Sequence, residues 1–191
     1  MRKLILAALV SVIGANAQAI SVGLLAGVPF TDAIKTTTIN SLAALPTSTN
    51  FVYGPTLQIN LPKKFRIEVD ALHRPVGFTL GPLLNLTASE WRIPILLQYR
   101  MGPKSFSPFI EGGVSYDHIS GLSAILTTIK SGPGTLLNPS QASVVLGAGI
   151  DIKIPVIRRI SAELRFTRQS VSQFQDISNL NQAEVLVGFH F

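Results

Sequence analysis

Along most of this chain apolar and polar residues alternate one for one, the period of a strand with two unlike faces. The clearest case closes the sequence. In QAEVLVGFHF, Ala183, Val185, Val187, Phe189 and Phe191 share one parity, while Glu184, Leu186, Gly188 and His190 share the other. Seven further segments read the same way, so eight strands are predicted, near residues 20–28, 51–61, 65–74, 91–100, 106–118, 143–154, 160–168 and 183–191. The connections alternate in length: 62–64, 101–105 and 155–159 are short turns, whereas 29–50, 75–90, 119–142 and 169–182 are long loops. An even number of strands with every long connection at one end predicts an all-β, up-and-down antiparallel barrel.

The same parity segregates charge. Glu68, Asp70, Glu111, Asp117, Asp151, Glu163 and Glu184 fall on the mixed face, together with Arg66, Arg74, Arg92, Arg100, Lys153 and Arg165. The opposite face is almost uncharged. Parity alone leaves two barrels open: a soluble, lipocalin-like one with the apolar face inside, and a transmembrane one with the faces reversed. Three features favour reversal. Gly23, Gly27, Gly54, Gly113, Gly147, Gly149 and Gly188 sit among the charged residues, where a narrow lumen needs small neighbours beside long side chains. Tyr53, Trp91, Tyr99 and Tyr116 bracket the apolar face as two aromatic girdles would; residues 91 and 99 stand about 20 Å apart along a tilted strand. The mixed face also carries nearly equal numbers of acids and bases, as sealed charges require. Pro55 and Pro94 lie inside predicted strands, where each removes a ladder donor, so bulges or an early end to pairing are expected there.

Composition narrows the picture further. The chain has 191 residues, 47% of them apolar, enough for one domain with a substantial apolar surface. No apolar run of about 20 residues follows the N-terminus, which argues against membrane helices. Met1-Arg2-Lys3, the apolar stretch 4–14 and the small-x-small triplet Ala15-Asn16-Ala17 form a secretory signal, placing a cleaved peptide at 1–17 and the barrel at 18–191; Ala17-Gln18-Ala19 is a second acceptable cleavage site. The chain has no cysteine, hence neither a lipid-modified anchor nor a disulfide. Its net charge of +6 is spread along the sequence, and an exported chain with no basic cluster is not expected to bind nucleic acid.

The segments PTLQINLP, FRIEVDALHR, EWRIPILLQYR and SPFIEGGVSY, with the aromatic C-terminus, resemble the outer-membrane β-barrel domain family, of the type found in the transmembrane domain of outer-membrane protein A and its relatives. The resemblance covers nearly all of residues 18–191. It implies an outer-membrane location in a Gram-negative envelope, contact with outer-membrane lipid and lipopolysaccharide, and a monomer with short periplasmic turns. It also implies that Val185, Val187, Phe189 and Phe191 form a signal read by the barrel assembly machinery. The cell-wall domain of the larger relatives is not expected here.

Candidate chemistry is sparse. Arg66, Glu68, Asp70, Arg92, Arg100, Glu111, Asp151, Lys153, Glu163, Arg165 and Glu184 form a candidate lumen charge network; an eight-stranded barrel is just filled by side chains, so this set reads as a plug. His118 and Ser120 resemble the His-x-Ser arrangement of outer-membrane lipid A deacylases, with serine as nucleophile and histidine as its base, but Gly121 departs from that family's continuation. His73 and His190 are isolated, and no spacing suggests a metal or cofactor. The leading expectation is therefore a non-enzymatic barrel with a structural, adhesive or surface-contact role, binding any surface ligand through loops such as TTTINSLAALPTSTN. A soluble periplasmic ligand-binding barrel and a lipid A-modifying enzyme are the alternatives.

Overall fold

The first and last strands hydrogen-bond to each other, and this closes the sheet. In the computed structural model the described residues are 20–32, 37–39, 42–80, 84–103, 105–120, 139–155, 158–170 and 179–191. The expected signal peptide and most of two long loops lie outside them. The strands are β1 (Ile20–Pro29), β2 (Thr37–Ile39), β3 (Leu42–Pro46), β4 (Val52–Asn60), β5 (Phe65–Asp70), β6 (Leu72–Leu80), β7 (Leu84–Arg100), β8 (Phe106–Ser120), β9 (Ser140–Lys153), β10 (Arg159–Gln169) and β11 (Asn181–His190). β1 pairs antiparallel with both β4 and β11, and every neighbour in between is antiparallel. β5 and β6 are two halves of one stave, so the barrel has the eight staves predicted.

The register fixes its shape. From Ile20 the pairing runs through Ile59, Ile67, Leu97, Gly112, Leu146, Phe166 and Ala183, whose carbonyl accepts the amide of Phe30. One circuit thus returns ten residues further along β1, a stagger that tilts eight staves by about 40° and leaves an interior only as wide as its own side chains.

The two prolines act together. Register places Pro55 opposite Ala71 and Pro94 opposite Asp70, and the third stave is interrupted at Ala71. The expected bulge is not there: the register is the same on both sides of the break. Instead two missing donors flank one point, where the Pro55 carbonyl still accepts the Ala71 amide at 3.0 Å. Gly54 and Gly113 lie beside this point with neighbouring carbonyls, of Ala71 and Ile95, so close that a Cβ could not be accommodated.

The predicted loop 75–90 is largely strand. β6 runs on to Leu80 and β7 starts at Leu84, and the short hairpin of β2 and β3 adds to the β6 edge through Ala44–Leu80, Leu45–Thr79 and Pro46–Phe78. Pro75 and the Gly81-Pro82 pair made this stretch read as a loop. In the structure Pro75 sits beyond the start of β4, where its carbonyl accepts a bond from the loop amide of Thr49 at 3.1 Å. At an edge its missing donor leaves no ladder bond unmade.

The faces are inverted relative to a soluble protein. Arg66, Glu68, Arg165 and Glu163 are sealed inside, while Leu24, Ile95, Val114, Leu146 and Leu164 are each more than half exposed on the outer wall. Among the described residues no helix is long and apolar enough to cross a membrane, which says nothing of a barrel. Single-cysteine spin labels at Leu97 and Val187 should be quenched by apolar oxygen and shielded from a water-soluble nickel complex. Equal access of both quenchers at both sites would show that the apolar wall is not the lipid-facing one.

Candidate functional site

The interior is built around Arg165, delivered by β10 where the alternation ISAELRFT turns every second residue inward. Its guanidinium meets four carboxylates: Nη1 pairs with Asp70 at 2.7 Å, Nε with Glu111 at 2.8 Å, and Nη2 with Glu163 at 2.7 Å and also with Glu68. β5 and β10 face each other across the lumen, so these bonds tie opposite walls. Glu68, Glu111 and Glu163 gather oxygens within 4.8 Å of one another, as a metal site would. Here the cation that gathers them is the arginine, whose planar fork suits several carboxylates at once. Neutral donors supply what one arginine cannot. Gln98 donates to Glu111 at 2.7 Å and to Glu68 at 3.0 Å, Gln58 donates to Glu68, and the Ser161 hydroxyl donates to Glu163 at 2.8 Å.

Towards the short turns, Arg66 pairs with Asp151 at 2.8 Å and lies over the Phe109 ring at 5.4 Å, and Arg159 reaches the other oxygen of Asp151 at 3.4 Å. His190, fully buried, contacts the Ser161 hydroxyl at 3.0 Å. Towards the long loops, Arg92 pairs with Glu184 across the lumen at 2.6 Å, Arg74 approaches Asp32 at 3.7 Å, and Asp117 accepts bonds from Ser115 and Ser143. Between these layers a void bounded by Arg92, Arg165 and Glu184 measures about 10 Å³, room for at most one water. Gly147 and Gly149 make this packing feasible: a Cβ on either would collide with the Glu111 carboxylate or the Phe109 ring.

Nine members of the predicted network are buried, but two are not part of it. Lys153 is exposed and Arg100 half-buried, and neither forms an ion pair among the described residues. Both lie at strand ends, where inward parity points into the open mouth rather than the sealed layers. The sealed set also lacks the expected balance. It holds Glu68, Asp70, Glu90, Glu111, Asp117, Asp151, Glu163 and Glu184 against Arg66, Arg74, Arg92 and Arg165, with serine and glutamine donors meeting part of the difference. Sequence reasoning missed Glu90 and Arg159 as interior residues, while His190, on the same parity as Glu184, is buried with it. Extending the β7 parity back from Arg92 marks Glu90, but that residue was assigned to a loop.

Outside, the aromatic residues form two bands. Near the long loops the Tyr53 ring lies 5.5 Å from His73, which lies 4.9 Å from Trp91, while the Tyr116 hydroxyl donates to Ser140 at 3.0 Å. Near the short turns the Phe65 and Tyr99 rings meet at a tilt, 5.1 Å apart, in a band with Phe106, Phe189 and Phe191. Val185, Val187, Phe189 and Phe191 all face outward, with Val185 half-buried. The proposed His118–Ser120 pair does not form. His118 Nδ1 contacts Ser140 at 2.8 Å, and the Ser120 hydroxyl donates to the Ser89 carbonyl at 3.4 Å. Residues two apart on a strand stand side by side, nearly 7 Å along it, which leaves each to find a cross-strand partner.

No protein-family model and no curated protein matches this sequence. Solved structures do. Neisserial surface protein A is 12% identical, with a TM-score of 0.56 over 90% of this chain and 95% of its own. The outer membrane protein OprG of Pseudomonas aeruginosa is 15% identical, with a TM-score of 0.54 over 90% and 94%. The outer membrane protein W of E. coli is 15% identical, with a TM-score of 0.50 over 91% and 97%. At such identities the likeness establishes the fold, a small closed antiparallel barrel of the outer-membrane kind.

Breaking the central cluster tests its role. Arg165→Met should lower the unfolding free energy in micelles by about 3–5 kcal/mol, because it strands several buried carboxylates. Combining it with Glu163→Gln and Glu68→Gln should restore part of that loss in the urea midpoint. A loss below about 1 kcal/mol would mean the cluster is solvated rather than sealed.

Proposed function

We propose that this chain is an integral outer-membrane barrel with a structural or surface-contact role, whose lumen is a lock rather than a channel. The observation that carries this reading is the inversion of its faces: sealed charges inside, and outside an apolar belt between two aromatic bands, with a height near the ~25 Å apolar band of known barrels. Large apolar patches on a protein wall mark contact with lipid or another protein, and a belt closed around the whole barrel fits lipid. The soluble alternative would need the opposite orientation. The likeness in fold to OprG and to outer membrane protein W, both outer membrane proteins, supports the same reading.

Transport is opposed by geometry. Arg165 and Arg92 span the lumen, and a void between their layers measures about 10 Å³. For the enzymatic alternative, among the described residues no carboxylate bonds to His118, so the base lacks the group that would orient it. The C-terminal Phe191, exposed at the short-turn rim, is the residue we assign to recognition by the assembly machinery, and long loops remain the surface for any external ligand.

Three measurements test the proposal together. Cell fractionation should place the protein with the outer membrane, and deletion of Phe191 should reduce its assembled fraction several-fold. Planar-bilayer recordings of the pure, folded protein should give no stable conductance; large, long-lived steps would overturn the lock. A soluble periplasmic fraction would sink the membrane reading itself.

A further inference from the structure

At the short-turn end the barrel opens into a cavity of about 700 Å³, lined by residues from the ends of most staves. Its charge is one-sided. Lys64, Arg100, Lys153, Arg158 and Arg159 line it, against the single side-chain carboxylate of Asp151, which is already held from below by Arg66 and from the side by Arg159; the terminal oxygen of Phe191 at this rim is occupied by the Ser21 hydroxyl at 2.9 Å. Among the described residues Lys64, Arg100, Lys153 and Arg158 have no ion-pair partner, and the buried Nε of Arg100 bonds to nothing. This is the reverse of the layers above, where carboxylates outnumber arginines and Arg165 and Arg92 tie acids across the lumen.

The backbone supplies a second, independent observation. Among the described residues three non-glycine residues have positive φ: Lys63 at 60°, Lys64 at 69° and Arg158 at 47°. All three are basic, and all lie on short turns of this one end. Such positions favour glycine, asparagine or aspartate; bulkier side chains there carry a backbone cost and call for a reason. Lys64 and Arg158 have their side chains on the cavity. A mouth that keeps two costly cations, and leaves two more unpaired beside them, is arranged for negative charge that the chain does not itself provide.

We propose that this vestibule binds a small soluble anion bearing several phosphate groups. Five cations around one cavity match a polyvalent ligand better than a single oxyanion, and arginine forks fit tetrahedral phosphate oxygens. The lining faces the barrel axis rather than the apolar belt, so a lipid lying in the bilayer does not present its headgroup here. The sealed layers above form a floor, so the ligand docks and leaves by the same mouth. The site is a property of the folded barrel, and it stands or falls separately from the membrane role proposed above.

The test is calorimetric titration of the folded protein, in zwitterionic micelles at low salt, with inorganic tripolyphosphate. Saturable one-to-one binding is expected, with orthophosphate markedly weaker. The Arg100→Gln/Arg158→Asn double variant should lose at least about tenfold in affinity, since each change removes a charge-assisted contact. Lys63→Asn removes one charge from the turn that carries Lys64 but not from the cavity lining, and should bind within about twofold of the parent. Absence of saturable binding, or an equal loss in Lys63→Asn, would reduce the vestibule to diffuse basic charge and overturn the proposal. Should the double variant fail to fold, Lys153→Gln, exposed at the end of β9, makes the same comparison against Lys63→Asn.

Discussion

Closing a strongly tilted sheet of eight staves leaves a lumen that must be filled, and here it is filled with ions. That constraint governs the rest of the molecule. Every backbone donor and acceptor of a closed sheet is paired without help from solvent, which frees the outer wall to be apolar. The inner wall then receives the polar residues, which can survive sealing only by bonding to one another. Arg165 with its four carboxylates, and Arg92 with Glu184, are the consequence. Because Glu68 and Asp70 face Arg165, and Glu184 faces Arg92, from staves on opposite sides, these bonds also brace the walls and block the passage.

The same constraint explains where small residues and prolines fall. Glu111 and Phe109 fill the space above Gly147 and Gly149, so the narrowness of the lumen is written as glycine on the neighbouring stave. Pro55 and Pro94 would be costly in separate places in a barrel without edges. Set on the two staves flanking Asp70 and Ala71, they confine their missing donors to one interruption and keep the register intact.

Much of this was legible in the sequence because alternation is strict wherever the wall contacts two unlike environments. The staves, their number, the side of the long connections and the inward set around Glu68, Glu163 and Arg165 all follow from period two. What was hidden lay where strand breakers interrupt the pattern. VGFTL and LNLTASE alternate one for one and pair fully, yet Pro75 and Gly81-Pro82 make 75–90 read as a loop. Parity also gives direction without depth. Lys153 and Arg165 share an inward parity, yet one stands in the open mouth and the other at the centre, because Lys153 ends its stave while Arg165 lies mid-stave opposite Gly147. Partner choice was likewise out of reach: nothing in the spacing of His118 and Ser120 reveals that a third strand brings Ser140 to the histidine instead.

Depth also accounts for the uneven charge along the axis. In the sealed layers a carboxylate can be satisfied by hydroxyl and amide donors as well as by arginine, as Glu68 and Asp117 are, so acids can exceed bases there. A buried guanidinium has five donors and no acceptor, and needs several carbonyl or carboxylate oxygens around it. Arginines are thus few in the interior, and the central one, Arg165, is shared among four acids. Cations with no such shell stay at the mouth, where water completes their hydration. Arg159 marks the boundary: it still reaches Asp151 and Gln58, while Arg158, one residue further out, reaches neither. The mouth's surplus of positive charge is therefore the complement of an acid-rich interior, and it confronts whatever anion enters from that side.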